Sequence, residues 1–131
     1  MRSGGILSGM DVRVKATNYE ITGETSRYLD ERVATIEKLL GSDADVSRCE
    51  VEVGRDAGNM RHSDHMWFAE FLILYPGGSV RATNRAATVN AAIDDAKEEA
   101  VRQLRRERKM HMRMWRKSGA TFKRLLRMTD D

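Results

Sequence analysis

Basic side chains crowd the last third of this 131-residue chain, and they are the residues best equipped for chemistry. From Arg102 to Arg127 there are eleven lysines and arginines against one acid, Glu107, a local charge of +10. The other 105 residues hold twelve basic and nineteen acidic side chains, or −7, so the total of +3 conceals a bipolar molecule. A guanidinium is a planar fork that can bond a phosphate through two parallel N–H groups and can also stack on a base. A patch of one sign raises self-repulsion, so it is usually kept for a polyanion or an acidic surface. The candidate RNA contacts are Arg102, Arg105, Arg106, Arg108 and Lys109, followed by Arg113, Arg116 and Lys117. A charge run is more commonly a solvated face, but that reading leaves +10 on an acidic body without a reason. Trp115 and Phe122 are interleaved with Arg113, Arg116, Lys117, Lys123 and Arg124. Such a pattern suits stacking on exposed bases, or a basic amphipathic helix on an acidic protein or membrane surface. Arg81 and Arg85 either extend the patch or are simply solvated.

Other chemistry is thinly represented. His62 and His65, with Asp64 beside them, have the spacing of a metal pair, but they fall in a polar segment without the cysteines of a zinc site. They read as an ordinary loop, and no metal or other cofactor is expected. Cys49 is the only cysteine, which excludes an internal disulfide framework and fits a reducing cytosol. No nucleophile is arranged with a base and an orienting acid, so the chain does not read as an enzyme. No apolar run approaches the roughly 18 residues that span a membrane. Residues 1–9, rich in glycine and serine, read as a flexible leader, with Met10 as the functional start.

The elements that must position the basic run follow from periodicity. Met10, Val12, Val14 and Ala16 alternate with polar residues as in a half-buried strand. Thr22 then caps a helix with Glu24 in its first turn, Leu29, Val33, Ile36 and Leu40 on one face, and Gly41 to stop it. Cys49, Val51 and Val53 mark a second strand, and Met66–Tyr75 a third, with Trp67, Phe71, Ile73 and Tyr75 inward. Pro76-Gly77-Gly78 is a turn, and Ser79–Thr83 returns as a fourth strand. From Thr88, an N-cap, a second helix presents Val89, Ile93, Ala96, Ala100 and Leu104 as one apolar stripe. Its acids, Asp94, Asp95, Glu98 and Glu99, come early and its cations late, an order that suits the helix dipole.

The order is β-α-β-β-β-α, and the fold class is α+β: a four-stranded sheet with two helices packed on one face. The first two strands are joined through a helix, so they should run parallel. The other sheet face would show Phe68, Leu72 and Leu74, either as a contact surface or under the C-terminal tail.

Several short stretches in this order resemble one family. Glu20-Ile21-Thr22, Leu29 to Glu37, and Ala91-Ala92-Ile93-Asp94 with Arg102-Gln103-Leu104 are similar to the ribosome hibernation-promoting factors, the family of the ribosome-associated inhibitor A and the sigma-54 modulation proteins. The resemblance covers about residues 10–110. Thr88-Val89-Asn90 stands where members commonly have Asp-Met-Tyr. It implies a cytoplasmic protein that binds the small ribosomal subunit and its rRNA between head and body. There it would occlude the tRNA and mRNA sites and inhibit translation during stress or stationary phase. It also implies a short-type member, monomeric off the ribosome, with residues 10–110 as the ribosome-binding domain and 111–131 as a basic C-terminal tail. On the residues alone, a general double-stranded-RNA-binding domain and a regulator whose tail contacts an acidic protein remain open.

Overall fold

Strand β2 (Arg48–Arg55) buries every second side chain, with Cys49 and Val53 fully covered and Val51 nearly so, and the remaining elements assemble around it. The protein, seen in a computed structural model, is described over residues 9–56 and 66–129; the leader through Ser8 and the histidine pair His62 and His65 lie outside the described residues. Strand β1 (Asp11–Thr17) lies parallel to β2, while β3 (Trp67–Tyr75) and β4 (Gly78–Ala86) continue antiparallel, so the sheet order is β1-β2-β3-β4. The parallel pair is joined through helix α1 (Gly23–Leu40), the crossover such pairing requires. Helix α2 (Val89–Thr129) follows β4.

Local chemistry fixes the ends of these elements. The Thr22 hydroxyl accepts a bond from the Thr25 N–H at 3.1 Å, and the Thr88 hydroxyl does the same for Ala91 at 3.1 Å. Gly41 takes φ +60° where α1 stops, and the chain then makes a short 3₁₀ helix, Gly41–Val46, in place of an irregular link. Asn18, where the alternation of β1 breaks, also has positive φ, a conformation that Asn tolerates, and its amide donates to the Arg55 carbonyl at 3.3 Å. Pro76 and Gly77 close the β3–β4 hairpin; Gly77 supplies the φ of +101° that a side chain resists.

One apolar core fills the space between the sheet and the two helices. Leu29, Val33, Ile36 and Leu40 of α1 meet Ile93, Ala96, Ala100 and Leu104 of α2 over Val51, Phe71, Ile73 and Val80. Ala96 and Ala100 are fully buried where α2 lies close on β3 and β4. Trp67, expected inward, is only half-buried at the sheet end, edge-on to Tyr19 with ring centres 5.0 Å apart. Burial also fades along β1 until Ala16 is exposed, because β1 is an edge strand and α2 packs chiefly on β3 and β4. Burial and the charge of Glu50 push the Cys49 thiol up to about 12.

The far face of the sheet is open and more polar than the sequence suggests. Its rows read Arg13, Glu50, Leu72 and Arg81, then Lys15, Glu52, Glu70 and Thr83, then Thr17, Gly54, Phe68 and Arg85. Leu72 and Phe68 are half-buried among these charged neighbours, the Arg85 guanidinium lying 5.5 Å from the Phe68 ring centre. Gly54 has no room for a side chain, which would collide with the Thr17 carbonyl and come within 3.0 Å of that ring. Of the three apolar residues expected there, only Leu74 is as much as 37% exposed.

The two helices are clasped at Asp94. Its carboxylate accepts a short bond from the Tyr28 hydroxyl and another from Arg32 Nε at 2.8 Å, with the Arg32 guanidinium 3.6 Å from the Tyr28 ring centre. Partial burial alone would raise the Asp94 pKa, but the bonds from Tyr28 and Arg32, together with the Arg32 charge, outweigh it and hold the carboxyl below its ordinary value. A carboxyl with a lowered folded pKa stabilises the fold above the unfolded value and loses that contribution as pH falls through the folded one. Asp94→Asn is therefore expected to lower stability at neutral pH and to narrow its difference from the parent as the pH falls below the carboxylate range. Denaturant midpoints measured across that range check this; a difference independent of pH would mean the ionised clasp is not what is lost.

Candidate nucleic-acid interface

At 3.6 residues per turn, Arg102, Arg105, Arg106, Lys109, Arg113 and Arg116 fall within an arc of about 100° on α2. All six are exposed on the side away from the sheet, since Ala100 and Leu104 face the core. They form a ridge about 21 Å long at a rise of 1.5 Å per residue. Such a ridge can neutralise several phosphates in succession, with arginine forks able to bind two oxygens each. Arg102 is engaged by Glu99 one turn earlier, and Arg116 rests on the Met112 sulfur at 3.7 Å. Lys117 lies in the same helix, beyond the side chains described.

What holds the ridge in place is the other side of α2. Past Leu104 the core ends, but the Tyr75 hydroxyl donates to Glu107 Oε1 at 2.9 Å, and His111 packs against Tyr75 with ring centres 6.2 Å apart. Burial and the bond to Glu107 push the Tyr75 hydroxyl up to about 12. Arg108 donates to Asp43 Oδ2 at 3.1 Å, tying α2 to the 3₁₀ helix. Arg108 is thus half-buried and turned from the ridge; it stands four residues after Leu104, on the flank of the apolar stripe, where Arg105 and Arg106 do not.

Arg81 and Arg85 are not brought to the ridge. Both project from the open face of β4, opposite the helices, because Val80 and Ala82 take the core side. Arg81 lies 3.4 Å from the Glu70 carboxylate, and Arg85 pairs with Asp56. Lys97, passed over in the sequence, instead joins the basic surface: with Thr35, Val101, Arg102 and Arg105 it lines a groove between α1 and α2, which Glu98 also borders. Its spacing of four from Val101 and eight from Arg105 was the available signal. Among the described residues, no group of three or more His, Cys, Asp or Glu side chains could hold a metal ion. No helix among them is long and apolar enough to cross a membrane.

The segment after residue 111 continues α2 without a break to Thr129, so its backbone leads away from the open sheet face. Deleting residues 112–131 is expected to leave unfolding cooperative and the melting temperature nearly unchanged, while weakening binding to RNA. Calorimetry and a binding titration on the truncated chain check this; a collapsed melting temperature would show that the segment is part of the fold.

Sheet, helix pair and exposed basic ridge define a small α+β domain built to present one helix. The chain belongs to the family described as Sigma 54 modulation protein / S30EA ribosomal protein, which matches residues 12–111. Among solved structures it is similar to the N-terminal domain of Protein Y from Thermus thermophilus, with TM-score 0.58 and 23% identity, over 72% of this chain and 93% of that one. It is also similar to a ribosomal subunit interface protein from Coxiella burnetii, with TM-score 0.59 and 8% identity, over 75% of this chain and 97% of that one. At these identities the likeness is one of fold. No curated protein sequence matches the chain.

Proposed function

We propose that this protein binds the small ribosomal subunit through its rRNA, between head and body, and inhibits translation by occupying the space that tRNA and mRNA need. The observation that carries this reading is the ridge of six exposed cations on α2, in a chain of the S30EA ribosomal protein family. Arg102, Arg105, Arg106, Lys109, Arg113 and Arg116 contact phosphates, with Lys117 continuing the line, while Arg108 positions the helix through Asp43. Arg81 and Arg85 lie across the sheet and would need a second RNA element to take part. Inhibition works by occlusion and needs no reaction. The protein acts as a monomer in the cytosol, in stress or stationary phase, when silencing ribosomes conserves resources.

Co-sedimentation with purified small subunits, followed by addition of mRNA and tRNA in excess, tests the reading. Release of the bound protein by those ligands is the expected result. Retention alongside bound tRNA, or equal binding to large subunits, would rule out occlusion at that site.

A further inference from the structure

The exposed side of α2 changes sign along its length. Asp95 and Glu98 project within the same arc as the ridge, roughly 10 and 6 Å before Arg102 along the axis. Both are exposed, and neither has an ion pair or hydrogen bond among the described residues. The helix dipole does not account for them. Its influence fades within the first turn, where α2 has no acid, and these residues stand at its seventh and tenth positions. Nor do they stabilise the helix pair, a task performed by Asp94 through Tyr28 and Arg32. Both place fixed negative charge in line with a phosphate-binding ridge.

We infer that Asp95 and Glu98 determine specificity by repulsion: they bar α2 from lying along a continuous RNA duplex and admit RNA only where its phosphates end or turn away before Arg102. A regular duplex presents phosphates at close intervals, so one lying along this side would meet the acids as well as the arginines. A folded RNA surface that meets only the C-terminal half of the helix escapes that penalty. Discrimination of this kind comes from cost imposed on the wrong partner, with no added contact to the right one. The inference rests on the reading of the ridge as the rRNA contact.

Asp95→Asn with Glu98→Gln removes both charges and keeps the side-chain shapes. Affinity of the full chain is measured for isolated small ribosomal subunits and for a generic RNA duplex longer than the helix. A carboxylate about 8 Å from a phosphate in water costs a factor of about two in binding. Duplex affinity is thus expected to rise about fourfold while subunit affinity changes by less than about twofold. An unchanged ratio of the two affinities overturns the inference, whether both rise together or neither moves. Arg105→Ala with Arg106→Ala, measured in parallel, separates the two failures. If it leaves subunit binding intact, the ridge is not the rRNA contact; if it weakens binding while the acid variant leaves the ratio fixed, only the repulsive role falls. Glu50→Gln with Glu52→Gln, on the opposite face of the sheet, controls for the same change of two in overall charge.

Discussion

Cutting Phe71 back to alanine is expected to destabilise the fold by about 3–5 kcal/mol, the range for deleting a large buried aromatic side chain. Phe71 is fully buried at the middle of β3, opposite Val51 on one side and Ala82 on the other. The void cannot close easily, because Phe71 sits in a sheet paired on both sides. With a typical total of about 5–15 kcal/mol for a domain, such a loss is a large share of the whole. Urea midpoints of the two proteins measure it, and Phe68→Ala is the contrast, since Phe68 is half-buried on the open face and should cost much less. Similar losses at the two positions would mean that Phe68 is as well covered as Phe71 and that this sheet face is not open.

The second large effect falls on binding. Each phosphate neutralised by the ridge releases condensed counterions, so the logarithm of affinity should fall linearly with the logarithm of salt. The slope is roughly −0.7 to −0.9 per contact, by analogy with nucleic acids of known charge density. Arg105→Ala with Arg106→Ala should flatten it by about one to two units, with little effect on folding because both are exposed and alanine favours helix. Reversal of both to Glu adds repulsion and should abolish inhibition in a cell-free translation assay at moderate salt. Arg13→Ala with Lys15→Ala, on the opposite sheet face, is the control. Equal weakening by that pair would move the RNA-facing surface off the helix.

Much of this architecture is legible from residue order, and the reasons differ by element. Period-two burial at Cys49, Val51 and Val53, the caps at Thr22 and Thr88, and the crossover that makes β1 and β2 parallel all depend on neighbours in the chain. Features that depend on distant residues were not legible. The spacing of Arg108 from Leu104 sets it beside the apolar stripe, but its partner Asp43, 65 residues earlier, is found only in the fold. Asp94 reads as one more early acid until Tyr28 and Arg32 are seen to reach it. The order of charges along α2 was visible, but its agreement with the dipole was misleading, because the acids lie beyond the first turn of a helix 41 residues long. The parity of β4 already set Arg81 and Arg85 on the face opposite Val80 and Ala82, and so away from the helices.

The burial of Cys49 has a kinetic consequence. A thiolate attacks and a thiol does not, so a group with no exposure and a pKa near 12 is chemically silent while the fold is closed. A thiol reagent reaches it only in molecules that have opened β2, and when reclosing is fast the labelling rate follows the open population. A partner that binds only the closed form depletes that population in proportion to its concentration over its dissociation constant. The single cysteine therefore lets bulk labelling rates, with no residue engineered into the chain, report how tightly the native chain is held by whatever it binds.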